Sequence, residues 1–122
     1  LETKGWLIVS IPISKNKLRK RGYNQAELLA RCLFNFQIDA IWGGGVLLKI
    51  KETISQVEIK EKEKRLANII DSFKVEKTES VKGKKIILVD DVFTTGATIN
   101  EAKKVLKKTG AKKVVGVVLA RG

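Results

Sequence analysis

Ile86-Ile87-Leu88-Val89-Asp90-Asp91-Val92-Phe93-Thr94-Thr95-Gly96-Ala97-Thr98 is the stretch on which the fold turns. Its first four residues form an unbroken apolar run, rich in β-branched side chains, of the kind found in a strand covered on both faces. Asp90 ends that run and predicts a polar loop at its carboxyl end. Past Gly96 the chain reads as a helix to about Thr109 with Gly110 as its stop, and Val114–Ala120 reads as a second apolar strand. Lys82-Gly83-Lys84 is the expected turn into the first of these strands. Strand, helix and strand make a βαβ unit with an expected right-handed crossover, so the fold class is α/β with a parallel sheet buried on both faces.

Working outward, Trp6–Ile13 is β-rich and gives way to Ser14-Lys-Asn-Lys-Leu-Arg-Lys-Arg-Gly22, a basic stretch expected as a loop after a strand. Ala26, Leu29, Ala30, Leu33 and Phe34 then recur at helical spacing from Asn24 to about Phe36, with Asn24 as the cap. Gly43–Gly45 reads as a turn and Val46–Ile50 as a short strand. Lys51–Glu58 carries no period and is expected as a mobile loop. A short helix over Glu61–Ile70 and a strand near Phe73–Val75 complete the reading.

Composition bounds the chemistry. The chain has 122 residues, 43% hydrophobic and 31% charged, which suits one folded domain. It contains no His, so Ser–His–Asp and Cys–His catalysis and the common zinc sites are excluded within it. The single Cys, Cys32, permits no internal disulfide and suits a reducing, cytoplasmic setting. No apolar run approaches the ~20 residues of a membrane span. The chain starts at Leu1 and has no Met, and is read as part of a longer protein. Twenty-five basic against 13 acidic residues leave a net charge of +12, which attracts phosphate-bearing partners, whether nucleic acid or polyphosphate metabolites.

In open α/β sheets, ligands bind beyond the carboxyl ends of the strands. There, Asp90 and Asp91 are followed by Thr94, Thr95, Gly96, Ala97 and Thr98. A small, hydroxyl-rich turn opening a helix presents backbone N–H groups to a phosphate, and Gly96 lets the backbone come close. The adjacent carboxylates can accept hydrogen bonds from a vicinal diol, each contributing about 1.5–3 kcal/mol when charge-assisted. Together they describe a receptor for ribose 5-phosphate. A helix cap alone asks for one such residue, not two acids and a run of Thr-Thr-Gly-Ala-Thr. No Walker-type Gly-Lys-Ser/Thr and no Gly-x-Gly-x-x-Gly is present.

The segment Ile86–Thr98 resembles the phosphoribosyl pyrophosphate (PRPP) binding signature of type I phosphoribosyltransferases. Ile11-Pro-Ile-Ser-Lys-Asn-Lys-Leu-Arg-Lys-Arg-Gly-Tyr-Asn-Gln-Ala-Glu-Leu-Leu-Ala30 is similar to the Pro…Arg-x-Arg-Gly-Phe-Asn-Gln stretch of the ComF branch, with Tyr23 in place of Phe. Thr53, Gln56, Arg65 and Asn68 also sit where ComF-like proteins place theirs, so the resemblance covers nearly the whole chain. It implies a three-layer fold, a mainly parallel sheet flanked by helices, over residues 1–122 as one phosphoribosyltransferase-like domain. It implies that Asp90 and Asp91 hold the ribose hydroxyls and that Thr94, Thr95, Gly96, Ala97 and Thr98 hold the 5-phosphate. Lys15, Lys17, Arg19, Arg21 and Gly22 would receive the pyrophosphate; read alone, that basic stretch suits a solvated loop equally well. Lys49 and Thr53 would act in a flexible catalytic loop, and Asn24 and Gln25 are either site residues or a cap.

The implied activity is transfer of phosphoribose from PRPP to a nitrogen acceptor of unnamed identity, with Mg2+ bound through PRPP rather than by a protein metal site. ComF relatives carry an upstream cysteine-rich zinc-binding segment, which this chain lacks. The rival implication is a non-catalytic accessory of DNA uptake in competence, using the same scaffold to bind single-stranded DNA or competence proteins. A second copy of the chain is a further candidate partner.

Overall fold

The computed structural model describes residues 4–36, 39–51, 69–93 and 96–121. The elements run β1 (Leu7–Ser10), α1 (Lys15–Arg21), α2 (Gln25–Phe36), β2 (Ile41–Trp42), β3 (Leu47–Lys49), β4 (Phe73–Val75), α3 (Thr78–Val81), β5 (Lys85–Phe93), α4 (Ala97–Lys108) and β6 (Lys113–Arg121). Four strands form one parallel sheet in the order β2-β1-β5-β6. β3 and β4 pair separately as an antiparallel ribbon, Leu47 opposite Val75 and Lys49 opposite Phe73.

Alternation along the central strands sorts the core into two layers. Leu7 and Val9 of β1 and Ile86 and Leu88 of β5 point to one face, where they meet Ile99, Ala102 and Leu106 of α4 and Val46, Leu47, Phe73 and Val75 from the β3–β4 ribbon. Ile8, Ile87 and Val89 point to the other, beneath Ala30, Leu29, Leu33 and Phe34 of α2. The fold is therefore a three-layer α/β sandwich with a mainly parallel sheet flanked by helices, as expected. Fully burying a Leu or Ile side chain contributes about 1.5–3 kcal/mol. The central strands carry that gain on both faces.

Local differences from the sequence reading have physical causes. Ser14–Gly22 is not a loop: Lys15–Arg21 is helical although it buries no residue. Its basic residues give no apolar period, but Lys and Arg favour helix, the Ser14 hydroxyl accepts from the Lys17 N–H, and Gly22 closes the helix at φ 81°. Asp90 and Asp91 are not in a loop either. β5 continues through them to Phe93 because β6 extends alongside, with Asp90 opposite Val118 and Val92 opposite Ala120. The four-residue α3, anchored by the fully buried Val81, stands where no element was expected. Finally, the described residues cover β6 on one face only. α2 lies over β1 and β5 and leaves Val115, Val117 and Leu119 exposed. The expected loop over 52–58, and the helix over Glu61–Ile70 up to residue 68, lie outside the described residues.

Gly43 ties the exit of β2 to β1. Its N–H donates to the Ile8 carbonyl (2.8 Å), and a Cβ there would lie 2.7 Å from that oxygen and 2.8 Å from the Val9 side chain. Gly43→Ala is expected to destabilise the fold by about 1–3 kcal/mol in urea unfolding, because backbone and not a flexible side-chain tip blocks the methyl group.

Candidate functional site

The buried run of β5 ends by carrying two carboxylates out of the core. Val89 is buried, while Asp90 and Asp91 are partly buried at the strand's carboxyl end. The Asp91 backbone N–H donates to Asp90 Oδ1 (2.9 Å). The Asp90 carboxyl is pushed up to about 7: burial is the main cause, and a side-chain hydrogen bond with Asp91 and that neighbour's negative charge add to it. The Asp91 N–H and the positive charge of Lys49 pull the other way. Lys49 reaches this place from the end of β3, its ammonium lying 5.1 Å from the centre of the Phe73 ring. The fold thus sets a cation of the antiparallel ribbon against an acid of the main sheet.

Beyond β5, Gly96 adopts φ 82° and serves as the N-cap of α4, with its carbonyl accepting from the Asn100 N–H (2.9 Å). Positive φ is cheap for Gly and costly for other residues, so the turn into α4 depends on it. Gly96 brings no side chain to the opening turn of α4, which carries the positive end of the helix dipole. Ala97 and Thr98, both half-buried, form the first turn. Thr94 and Thr95 of the expected phosphate loop, and Thr53 of the expected catalytic pair, lie outside the described residues, as do Gln56, Arg65 and Asn68.

The neighbouring strand end is basic. The Ile11 N–H donates to the Val89 carbonyl (2.9 Å), which holds the exit of β1 against the end of β5. From there Pro12, Ile13, Lys15 and Arg19 form one wall of an open groove of about 650 Å³, and Leu48, Lys49 and Lys51 form the other. Among the described residues, four cationic side chains and no acid line it. Of the residues expected to meet pyrophosphate, Lys15 and Arg19 line this groove. Lys17, Arg21 and Gly22 do not, since residues four apart share a helix face while those two apart do not. Lys51, which sequence places only at the start of a loop, joins the groove because the whole run Leu48–Lys51 at the exit of β3 lines it; nothing in the residue pattern marks that run. Asn24 proves to be a cap: its Oδ1 accepts from the Ala26 N–H (3.0 Å), and its Nδ2 donates to the Ile11 carbonyl (3.0 Å). It fixes the strand exit rather than facing the groove.

A parallel α/β sandwich with adjacent acids at one strand end, a glycine-opened helix after them and a basic neighbour strand defines a class, and the comparisons agree with it. Residues 20–122 match the phosphoribosyl transferase domain, and the chain belongs to that family. Within it, the chain is similar to competence proteins of the ComF type. It is 36% identical over 118 residues to competence protein ComFC of Streptococcus pneumoniae, covering 97% of this chain and 49% of that protein. It is 34% identical over 116 residues to competence protein F of Haemophilus influenzae, covering 93% and 49%. Identity to the DNA utilization protein YhgH of Salmonella typhi is 31% over 107 residues, covering 88% and 45%. The chain therefore spans about half the length of the curated relatives it matches.

The raised Asp90 carboxyl makes a signed prediction. In the unfolded chain it ionises near 3.8 and in the folded chain near 7, so the stability it contributes is complete below pH 3.8 and is lost as pH rises through 7. Asp90→Asn keeps an acceptor for the Asp91 N–H and removes the desolvated charge. Thermal melts should show Asp90→Asn matching wild type near pH 4, gaining Tm between pH 4 and 7, and holding that gain above it. A gain that does not change with pH would remove the buried-charge account.

Proposed function

We propose that this chain binds PRPP at the carboxyl ends of β1 and β5, as the phosphoribosyl-binding part of a ComF-like transferase. The observation that carries the reading is that Asp90 and Asp91, near the carboxyl end of β5, precede the Gly96-opened α4, while Lys49 of the groove shared with Lys15, Arg19 and Lys51 acts electrostatically on Asp90. PRPP carries its groups in the same order: ribose hydroxyls for the carboxylates, a 5-phosphate for the helix start, and a pyrophosphate at C1 for the cations. Thr94, Thr95, Gly96, Ala97 and Thr98 would hold the phosphate. Asp90 and Asp91 would accept from the ribose hydroxyls.

The reaction such a site would carry is displacement of pyrophosphate from C1 by a nitrogen nucleophile through an oxocarbenium-like transition state. Lys15, Arg19, Lys49 and Lys51 would offset the charge that builds on the departing pyrophosphate, and Thr53 is proposed to act with Lys49. Catalysis of this kind rests on positioning and charge, and it needs no His. The donor set suits Mg2+ delivered with the substrate: hard carboxylate oxygens stand at the site, and Mg2+ favours phosphate oxygens and water with one or two carboxylates. When bound there it would supply further neutralisation of the pyrophosphate.

A second reading follows from the net charge of +12 and from the names of the relatives, which are competence and DNA utilization proteins. In it, the same scaffold serves DNA uptake by binding single-stranded DNA or competence proteins. The two readings are compatible. Among the described residues no helix is long and apolar enough to cross a membrane.

PRPP with Mg2+ at a hundredfold excess over its Kd should stabilise the chain by about 2.7 kcal/mol, read as a rise in Tm. Asp90→Asn combined with Asp91→Asn should abolish the rise while leaving the fold intact by circular dichroism. A rise that survives the double change would remove these acids from the site.

A further inference from the structure

Seven lysines gather at the end of the sheet opposite the candidate site. The turn into β5 supplies Lys82, Lys84 and Lys85, and the end of α4 with the entry to β6 supplies Lys107, Lys108, Lys112 and Lys113. Two backbone hydrogen bonds, Gly83 N–H to the Gly110 carbonyl and Lys112 N–H to the Lys84 carbonyl, both 2.8 Å, fasten the two segments together. Lys85 and Lys113 are register partners across the β5–β6 ladder, on strands about 4.8 Å apart. Segments 82–85 and 107–113 contain no acid. Lys84 is half-buried and the other six lysines are exposed, and among the described residues none of the seven is in an ion pair. Lys107 caps the Lys112 carbonyl (3.2 Å), Lys85 lies over the Trp6 ring and Lys84 lines a shallow pocket beside Lys77 and Ser80; Lys82, Lys108, Lys112 and Lys113 are exposed.

Attraction to the carboxyl end of a helix accounts for Lys107 and Lys108. It does not account for Lys82, Lys84, Lys85, Lys112 and Lys113, which repel one another and those two. A cluster of like charges lowers the stability of the fold that holds it, and a polyanion would relieve that repulsion. We propose that this lysine pole docks the phosphate backbone of single-stranded DNA, about 17 Å along β5 from Asp90 and at the other end of the strands, so that DNA and a sugar phosphate are held at once. The proposal rests on the second reading above and gives it a surface.

The features of the pole select this partner. Within segments 82–85 and 107–113 no large apolar side chain is exposed, Val81, Ala111 and Val114 are buried, and the half-buried Trp6 ring lies under the Lys85 ammonium, so lysine charge dominates the pole although exposed Val115 stands next along β6. The pole can read phosphates without reading bases. Its lysines are packed on two adjoining turns rather than strung along a line. A flexible strand can curl its phosphates onto such a cluster, whereas a stiff duplex meets only the lysines along one line.

The test is fluorescence anisotropy of the 122-residue chain with a labelled oligo-dT of about 20 nucleotides, between about 50 and 200 mM NaCl. Lys84→Gln/Lys112→Gln/Lys113→Gln should weaken binding about tenfold or more at the lowest salt and flatten the log–log salt slope by about 2, as three lost phosphate contacts at about 0.7 each require. Lys17→Gln/Lys20→Gln/Arg21→Gln, equal in charge removed but placed on α1, should weaken it less than about threefold. The PRPP-induced Tm rise should be the same in the lysine-pole variant and wild type. Binding unchanged in the lysine-pole variant but lost in the α1 variant overturns the surface and leaves the DNA reading standing. Absence of wild-type binding at low salt overturns both, as does binding to phosphatidylserine vesicles without binding to DNA. Tighter binding to a duplex of the same length overturns the choice of partner.

Discussion

The constraint on which the rest depends is that β5 must be apolar enough to sit at the centre of a sheet and yet end in carboxylates. Ile86, Ile87, Leu88 and Val89 are all essentially inaccessible, covered by α2 on one side and by α4 with the β3–β4 ribbon on the other. The strand's rigidity is then available to the next residue, Asp90, which is held partly desolvated beside a second acid. That arrangement costs stability, as the upward displacement of its carboxyl shows. A cost of this kind at a strand end, beside the basic groove that holds Lys49, marks Asp90 as a candidate functional residue.

The same geometry separates two kinds of positive charge. Lys15, Arg19, Lys49 and Lys51 lie along a groove between the exit of β1 and the β3–β4 ribbon, and Lys49 is close enough to offset part of the Asp90 charge. The lysines at the amino ends of β5 and β6 have no acid within their own segments. Net charge alone merges these populations into one basic surface. Strand polarity divides them, because parallel strands send their carboxyl ends to one pole and their amino ends to the other.

The βαβ unit was legible in the sequence because its signals are local and redundant: an apolar run at Ile86–Val89, a glycine at each end of α4, and a second apolar run after Gly110. α2 was legible from its apolar period, with Asn24 as the cap that the hydrogen bonds bear out. α1 was hidden because it buries nothing, so only Ser14 and Gly22 mark its limits. The extension of β5 through Asp90 and Asp91 could not be read from polarity, since it follows from the partner strand β6 lying alongside. For the same reason the exposed face of β6 escaped the reading: Val115, Val117 and Leu119 look like core until the reach of α2 is known. At the candidate site, the acids and Gly96 were singled out by residue type and Lys15 and Arg19 by the family resemblance, whereas the split of α1 into groove and non-groove faces needed the helix.

The most direct measurement is a crystal structure of the chain soaked with PRPP and Mg2+. The account predicts ribose hydroxyls within hydrogen-bond distance of the Asp90 and Asp91 carboxylates, the 5-phosphate against Gly96, Ala97 and Thr98, and the pyrophosphate directed to the groove of Lys15, Arg19, Lys49 and Lys51. PRPP seated elsewhere on the chain, or bound with both carboxylates turned away from the sugar, would contradict it.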